Sequence, residues 1–356
     1  MRIATRTAGV ALAVAVVLVG SAGAAFACGG LIAPNGTISL TRTTTLAAYH
    51  QGVEHYITSF QYAGATTGDV GSIVPLPGVP TQVIKGGNWT LQRLELEVHP
   101  PDKSLDFEAS VARAPDAQVL LTTTVDSLDI TVLKGGSLAV GNWARDHGFF
   151  LPPDAPQVLD FYAQRSPIFM AVKFNAERAA RQGIAQGEGT PVDVVIPTPD
   201  PWVPLRILTL GQDPSDLVQA DVFLLTDSEP STLPQAVTPD SNSAQRGMIR
   251  RVSEPASASL LDDLRGDKRM GWIPDHMWFT YLDLNERASA VTHDLAIDAS
   301  GFGTPDPIAA GYHLADRPIV LGSSSSAIGV WVAVALFAVL LAAAELGRRR
   351  LRQPVA

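Results

Sequence analysis

The sequence predicts a mainly β protein with a minor α component (α+β): an antiparallel, β-rich ectodomain with a few short helices, plus one C-terminal transmembrane helix. Three observations carry this. Apolar and polar residues alternate with period two along much of residues 38–297, stretches with helical period are few and short, and a charge-free apolar run at 327–344 stands apart from both.

From the N-terminus, Arg2 and Arg6 precede an uncharged run from Ala8 to Ala27 that ends Ala25-Phe26-Ala27. A positive start, an apolar middle and an A-x-A exit make residues 1–27 a cleavable signal peptide. The mature chain then begins at Cys28, the single cysteine, so no intrachain disulfide can form even in a compartment that permits one. Cys28 is also a candidate lipidation site, because lipoprotein signals end in a small residue before cysteine. Ala25 and Phe26 depart from the long aliphatic and small residues expected there.

The ectodomain spans 28–322. Ile38, Leu40, Leu46 and Ala48 share one parity, and after a turn at Gln51-Gly52 the aromatics Tyr56, Phe60 and Tyr62 do the same, which predicts a hairpin with one buried face. Leu94, Leu96 and Val98 alternate with Arg93, Glu95 and Glu97 and read as a half-buried strand. Further strands are expected near 118–125, 127–134, 168–174, 192–197, 205–210 and 220–226, then from Trp278 to Leu284 and, across a loop, from Val291 to Ile297. Pro75 and Pro197 close two similar segments, Ile73-Val74-Pro75-Leu76-Pro77 and Val195-Ile196-Pro197-Thr198-Pro199; proline cannot donate into a ladder, so each ends a strand. A duplicated β unit or shared strand–turn chemistry accounts for the likeness.

Helix starts are signalled at Ser137, at Asp154 with Pro156, and at Ser257 or Ser259. Residues 175–186 read as a helix fragment or hairpin insertion. Residues 227–256, rich in Ser, Pro, Thr and Asn, read as a long exposed loop or linker, leaving one domain or two sub-domains around a flexible segment.

Ser323 to Ser326 form a short linker into 327–344. That run includes Ala327, Trp331, Phe337 and Ala344, and as a helix it would be about 27 Å long, enough to cross a bilayer core. Glu345 closes it, and Arg348, Arg349, Arg350 and Arg352 follow in the tail 345–356. Positive charge stays on the cytoplasmic side, so the expected placement is a single-pass cell-membrane protein with its body outside and its tail inside.

The chain has 26 basic and 35 acidic residues. Setting aside two arginines in the signal, four in the tail and Glu345 leaves 20 against 34, about −14 for the ectodomain, which repels phosphate backbones and argues against a nucleic-acid partner. No G-x-S-x-G elbow, H-E-x-x-H, phosphate-binding loop or EF-hand loop occurs, and no cofactor is implied. Weaker constellations are His50 and His55 with Glu54 as metal ligands across the hairpin, Asp275–His276 and His293–Asp294 as acid/base pairs, and Asp262, Asp263 and Asp267 as cation ligands or a solvated helix face. Trp89, Trp143, Trp202, Trp272 and Trp278 are either a glycan platform or packing residues.

Cys28-Gly29-Gly30 after the signal, the strand and Pro-x-Pro segment at 56–80, Asn142-Trp143-Ala144 through Phe149, Pro152, Tyr162 to Phe174, Pro204-Leu205-Arg206-Ile207, Phe279-Thr280-Tyr281 and Asp294-Leu295 together resemble the bacterial domain of unknown function 2330 family. The resemblance covers most of 28–300 and brings no catalytic residue or cofactor with it. The expected function is therefore a membrane-anchored extracytoplasmic protein acting as a non-enzymatic binding or interaction module of the bacterial cell envelope, with an envelope protein or polymer as partner. The alternative is an envelope hydrolase with a dispersed His/carboxylate site, a reading that a cleft holding His147, His276 or His293 beside carboxylates would favour.

Overall fold

The computed structural model describes residues 30–32, 42–61, 70–87, 89–99, 119–182, 189–239 and 246–312. In chain order its strands are β1 (Gly30–Ile32), β2 (Thr43–His50), β3 (Val53–Gln61), β4 (Val70–Pro75), β5 (Gln82–Lys85), β6 (Val119–Val125), β7 (Leu128–Lys134), β8 (Ile168–Phe174), β9 (Gly189–Pro197), β10 (Trp202–Val203), β11 (Leu217–Thr226), β12 (Ser231–Leu233), β13 (Gly247–Pro255), β14 (Trp278–Arg287) and β15 (Leu295–Asp298). The helices are α1 (Thr90–Val98), α2 (Ser137–Asp146), α3 (Ala155–Ala163), α4 (Ala176–Arg181) and α5 (Ala258–Gly266). The β-rich class with few helices holds. Residues 1–27, expected to be a signal peptide, Cys28 and everything from residue 313, including 327–344 and Arg348 to Arg350, lie outside the described residues. Among the described residues no helix is long and apolar enough to cross a membrane.

The large sheet runs β13-β14-β11-β2-β3-β9-β5 and is antiparallel except where β11 lies parallel to β2. Its centre is the predicted hairpin of β2 and β3. Gln51 and Gly52 both take positive φ, 49° and 81°, the two-residue turn whose twist matches the flanking strands. One face packs Leu46, Ala48, Ile57, Phe223, Leu225 and Phe279 against α1 and α5. The other buries Tyr56, Val194, Val222, Leu224 and Leu282, so this sheet is covered on both sides. A second sheet, β1-β4-β8-β7-β6, carries α2 and α3, and a small sheet, β10-β15-β12, completes the body.

The stretch from Arg93 to Val98, read as a half-buried strand, belongs to α1. Leu91 and Leu94 are buried against the α5 side while Leu96 is 45% exposed, the division a helix imposes and a strand does not. Leu, Gln, Arg and Glu favour helix, and Asp267 accepts from the Trp89 amide and the Thr90 hydroxyl at 2.9 and 2.8 Å, satisfying the helix start. Residues 205–210 are likewise not a strand: Arg206–Thr209 forms a 3₁₀ turn. Val291 and His293 lie before β15 rather than in it, and the Ser/Pro-rich segment 227–256 is not simply a loop, since β12 and β13 occupy its ends.

The other helix starts fall near their signals. Ser257 caps α5 by accepting from the Leu260 amide at 3.1 Å. Ser137 is the first residue of α2 rather than its cap, and Asp154 precedes α3 but gives its carboxylate to the Gly211 amide. Within 175–186, residues 175–182 are described and carry the helix: Asn175 caps α4 through the Arg178 amide. Pro75 and Pro197 end β4 and β9 as expected. Ile38, Leu40 and Tyr62 lie outside the described residues.

Candidate functional site

Four strand ends open onto one cavity. β2 ends at Tyr49–His50, β9 at Pro197, β11 at Thr226 and β15 at Asp298, and the segments beyond them enclose about 530 Å³. The lining includes Tyr49, Asp200, Asp227, Asp298 and Asp306, together with Pro199, Pro201, Pro305 and Ile297; no Lys or Arg is among its lining residues.

The carboxylates differ in what holds them. Asp227 meets His50 Nδ1 at 2.6 Å. Asp298 accepts from the Ser300 amide at 2.7 Å and Asp306 from the Ile308 amide at 3.0 Å, so each organises its own turn. The Asp200 carboxylate has no hydrogen-bond or ion-pair partner among the described residues; partial burial and then the charge of Asp306 push it up. Tyr49 donates to the Thr198 carbonyl at 2.9 Å. Its phenol is raised first by burial and then by Asp200, Glu54, Asp227 and Asp298, so its ring marks where the negative charges converge.

Glu54 stands directly across the β2–β3 ladder from Tyr49, on the same face of the sheet. It is fully buried and neither carboxyl oxygen is hydrogen bonded. Burial pushes it up to about 8, opposed only by the Trp202 amide, which approaches without completing a hydrogen bond. The carboxyl is therefore held between Tyr49 and the step that follows the cavity-lining Pro201, behind the cavity wall.

The histidine pairs read from the sequence are not assembled. His50 faces Asp227, whereas His55 stacks on Trp272 at 3.7 Å and meets Asp193 at 3.2 Å; Glu54 points to the opposite face. Among the described residues no group of three or more His, Cys, Asp or Glu could hold a metal ion. His293 bonds Thr292 while Asp294 turns inward, and Asp275 pairs with Arg265 at 3.1 Å. His147 stacks on Trp143 and meets its carbonyl. Asp262 goes to Arg265, Asp263 to Arg93 and Asp267 to the start of α1. Trp143 and Trp202 are buried, Trp272 covers His55 and Trp278 donates to Ser253, so packing accounts for them; Trp89 is 38% exposed.

Two other polar centres are engaged in holding the fold. Asp294, fully buried, accepts from the Tyr162 hydroxyl at 2.9 Å, the Leu205 and Arg206 amides at 2.7 Å each, and Arg165. Arg165 also reaches the Ala309 carbonyl and lies 4.2 Å over the Trp202 ring. On the large sheet Arg42 binds Asp221 and Asp283, Arg251 binds Asp283, and the Tyr281 hydroxyl donates to Asp221 at 2.6 Å. Neither carboxylate there is left to meet a ligand.

Fold and cavity together define a β-rich protein with an acidic pocket between strand-end loops. The model of DUF2330, described as an uncharacterized protein conserved in bacteria, matches residues 22–240, and the chain belongs to that family. No curated protein matches the chain in sequence. Among solved structures it is similar to baculovirus P35, at 9% identity and a TM-score of 0.35 over 72% of this chain and 90% of that one. A mutated baculovirus P35 after caspase cleavage gives 8% identity and a TM-score of 0.36 over 74% and 100%. Likeness this slight carries neither fold nor function across.

Proposed function

We propose that this chain is a membrane-anchored, extracytoplasmic binding module of the bacterial cell envelope, and that its partner is an envelope protein or polymer presenting positive charge to the strand-end pocket. The observation that supports this best is the pocket itself, with four aspartates and no Lys or Arg in its lining. A neutral or anionic partner gains nothing from such a surface, whereas a cationic one is attracted to it. The signal-like start and the apolar run before Arg348, Arg349 and Arg350 support the anchored placement, with the body outside and the tail inside.

The test is in-cell crosslinking of the intact chain beside the double variant Asp200→Asn/Asp306→Asn, together with fractionation of a chain lacking 327–356. The reading expects a specific basic partner that is lost or reduced in the double variant, and release of the truncated chain into the medium. Equal capture by both forms removes the pocket from the reading. Retention of the truncated chain in the membrane removes the single C-terminal anchor and points to Cys28.

A further inference from the structure

We infer that the cavity beside Tyr49 binds an organic cation, a linear diamine or polyamine whose charges sit on separated ammonium groups, rather than a metal ion. This rests on the reading of the pocket as a cation-binding site and names the chemistry of its ligand.

Spacing carries the first part of the argument. A metal needs ligands that converge within bonding distance, and the cavity's carboxylates form no such group. They are spread instead over three segments, Asp200 beyond β9, Asp227 beyond β11, and Asp298 and Asp306 at the end of β15 and in the segment after it; Asp200 and Asp306 act on one another, while Asp227 and Asp298 act with Asp200 on the Tyr49 phenol. The volume, about 530 Å³, is that of a small organic ligand rather than one ion. Ile297, Pro199, Pro201 and Pro305 supply apolar contact between the charged positions, as an alkyl chain linking ammonium groups requires.

The second, independent part is Glu54. A fully buried carboxyl with no hydrogen bond on either oxygen is costly, and this one, though not itself a lining residue, stands across the ladder from the lining Tyr49 and near the Trp202 amide that follows the lining Pro201. Across β9 it faces Ile196, so Tyr49 is its titratable neighbour and no described cation neutralises it. An ammonium entering the cavity would supply the missing positive charge. Glu54 would then release its proton, which remains on the carboxyl as the reserve of a site that is short of cations.

The experiment is isothermal titration calorimetry of the full chain in neutral-lipid nanodiscs, near neutral pH and at low ionic strength, with spermidine as the probe and calcium chloride as the competitor. Repeating it in two buffers of different ionisation enthalpy reads the proton count. Spermidine should bind at one site and release a proton. Asp200→Asn/Asp306→Asn, the first exposed and the second half-buried with an amide oxygen still able to accept from Ile308, should weaken it about tenfold while leaving the urea midpoint in place. Glu54→Gln should still bind but without proton release. Absence of spermidine binding, equal competition by calcium, or an unchanged double variant overturns the inference; release persisting in Glu54→Gln overturns the part given to Glu54. If a basic envelope partner is crosslinked through the pocket in cells yet spermidine does not bind, the binding-module reading stands and the polyamine inference alone falls.

Discussion

Glu54→Gln isolates the pH-dependent cost of a buried acid. In the folded chain burial moves the carboxyl from 4.5 up to about 8, while in the unfolded chain it titrates in the ordinary range. Between those values the folded protein holds one more proton than the unfolded one, so stability falls as pH rises, by about 1.4 kcal/mol per pH unit. The shift of about 3.5 units then amounts to about 5 kcal/mol above pH 8, with no cost below the ordinary carboxyl range. Because the group is fully buried, solvent does not screen this away. Glutamine keeps the shape without the ionisation, and its unpaired amide adds a pH-independent cost of about 1–3 kcal/mol. The assay is urea unfolding of both proteins in steps from acid to mildly alkaline pH. The stability of Glu54→Gln relative to wild type should climb with the slope given above and level off near pH 8. A difference that stays flat with pH would refute the reasoning, since the carboxyl would then be charged or partnered in the fold.

Asp294→Ala should cost about 3–5 kcal/mol in urea unfolding, because it leaves the Arg165 guanidinium and three further donors buried without their acceptor. Leu94→Ala should cost about 2–5 kcal/mol and Leu96→Ala less than about 0.5 kcal/mol; similar losses at the two sites would return residues 90–98 to the strand reading. Ser257→Ala should cost about 1 kcal/mol through loss of the α5 cap, read as a lower urea midpoint, with Ser259→Ala near neutral.

Period two was a sound guide wherever one face of a strand meets core and the other does not, or where β-branched and aromatic residues dominate. β7, β8, β11 and β14 were legible on that basis, as was the β2–β3 hairpin with its Gln51-Gly52 turn. It failed at α1 because Leu94 and Val98 satisfy both periods; Leu91 three residues before Leu94, with Gln92 and Arg93 between and Glu95 after, was the helical signal. At 205–210 an aliphatic run that fits a strand is bent into a 3₁₀ turn whose amides go to Asp294 and the Tyr162 hydroxyl, partners that only the tertiary fold supplies. The pocket could not be read from spacing at all, since Asp200, Asp227 and the Asp298–Asp306 pair come from three segments far apart in the chain. Its one local sign was Glu54, the single acid of β3, two residues before Tyr56.

The pairing of β14 with β11 along Leu217–Thr226 bears on what counts as the folding unit. The family match ends at residue 240, yet β13 and β14 complete the large sheet from beyond it. A fragment cut there would bare the β11 ladder and offer a long apolar edge to any other strand, the situation that leads to aggregation. It would also strip Asp294 from Arg165, stranding a guanidinium among aromatic rings. Recombinant work on the matched segment 22–240 alone would therefore handle an opened sheet, and a workable boundary falls no earlier than Gly311.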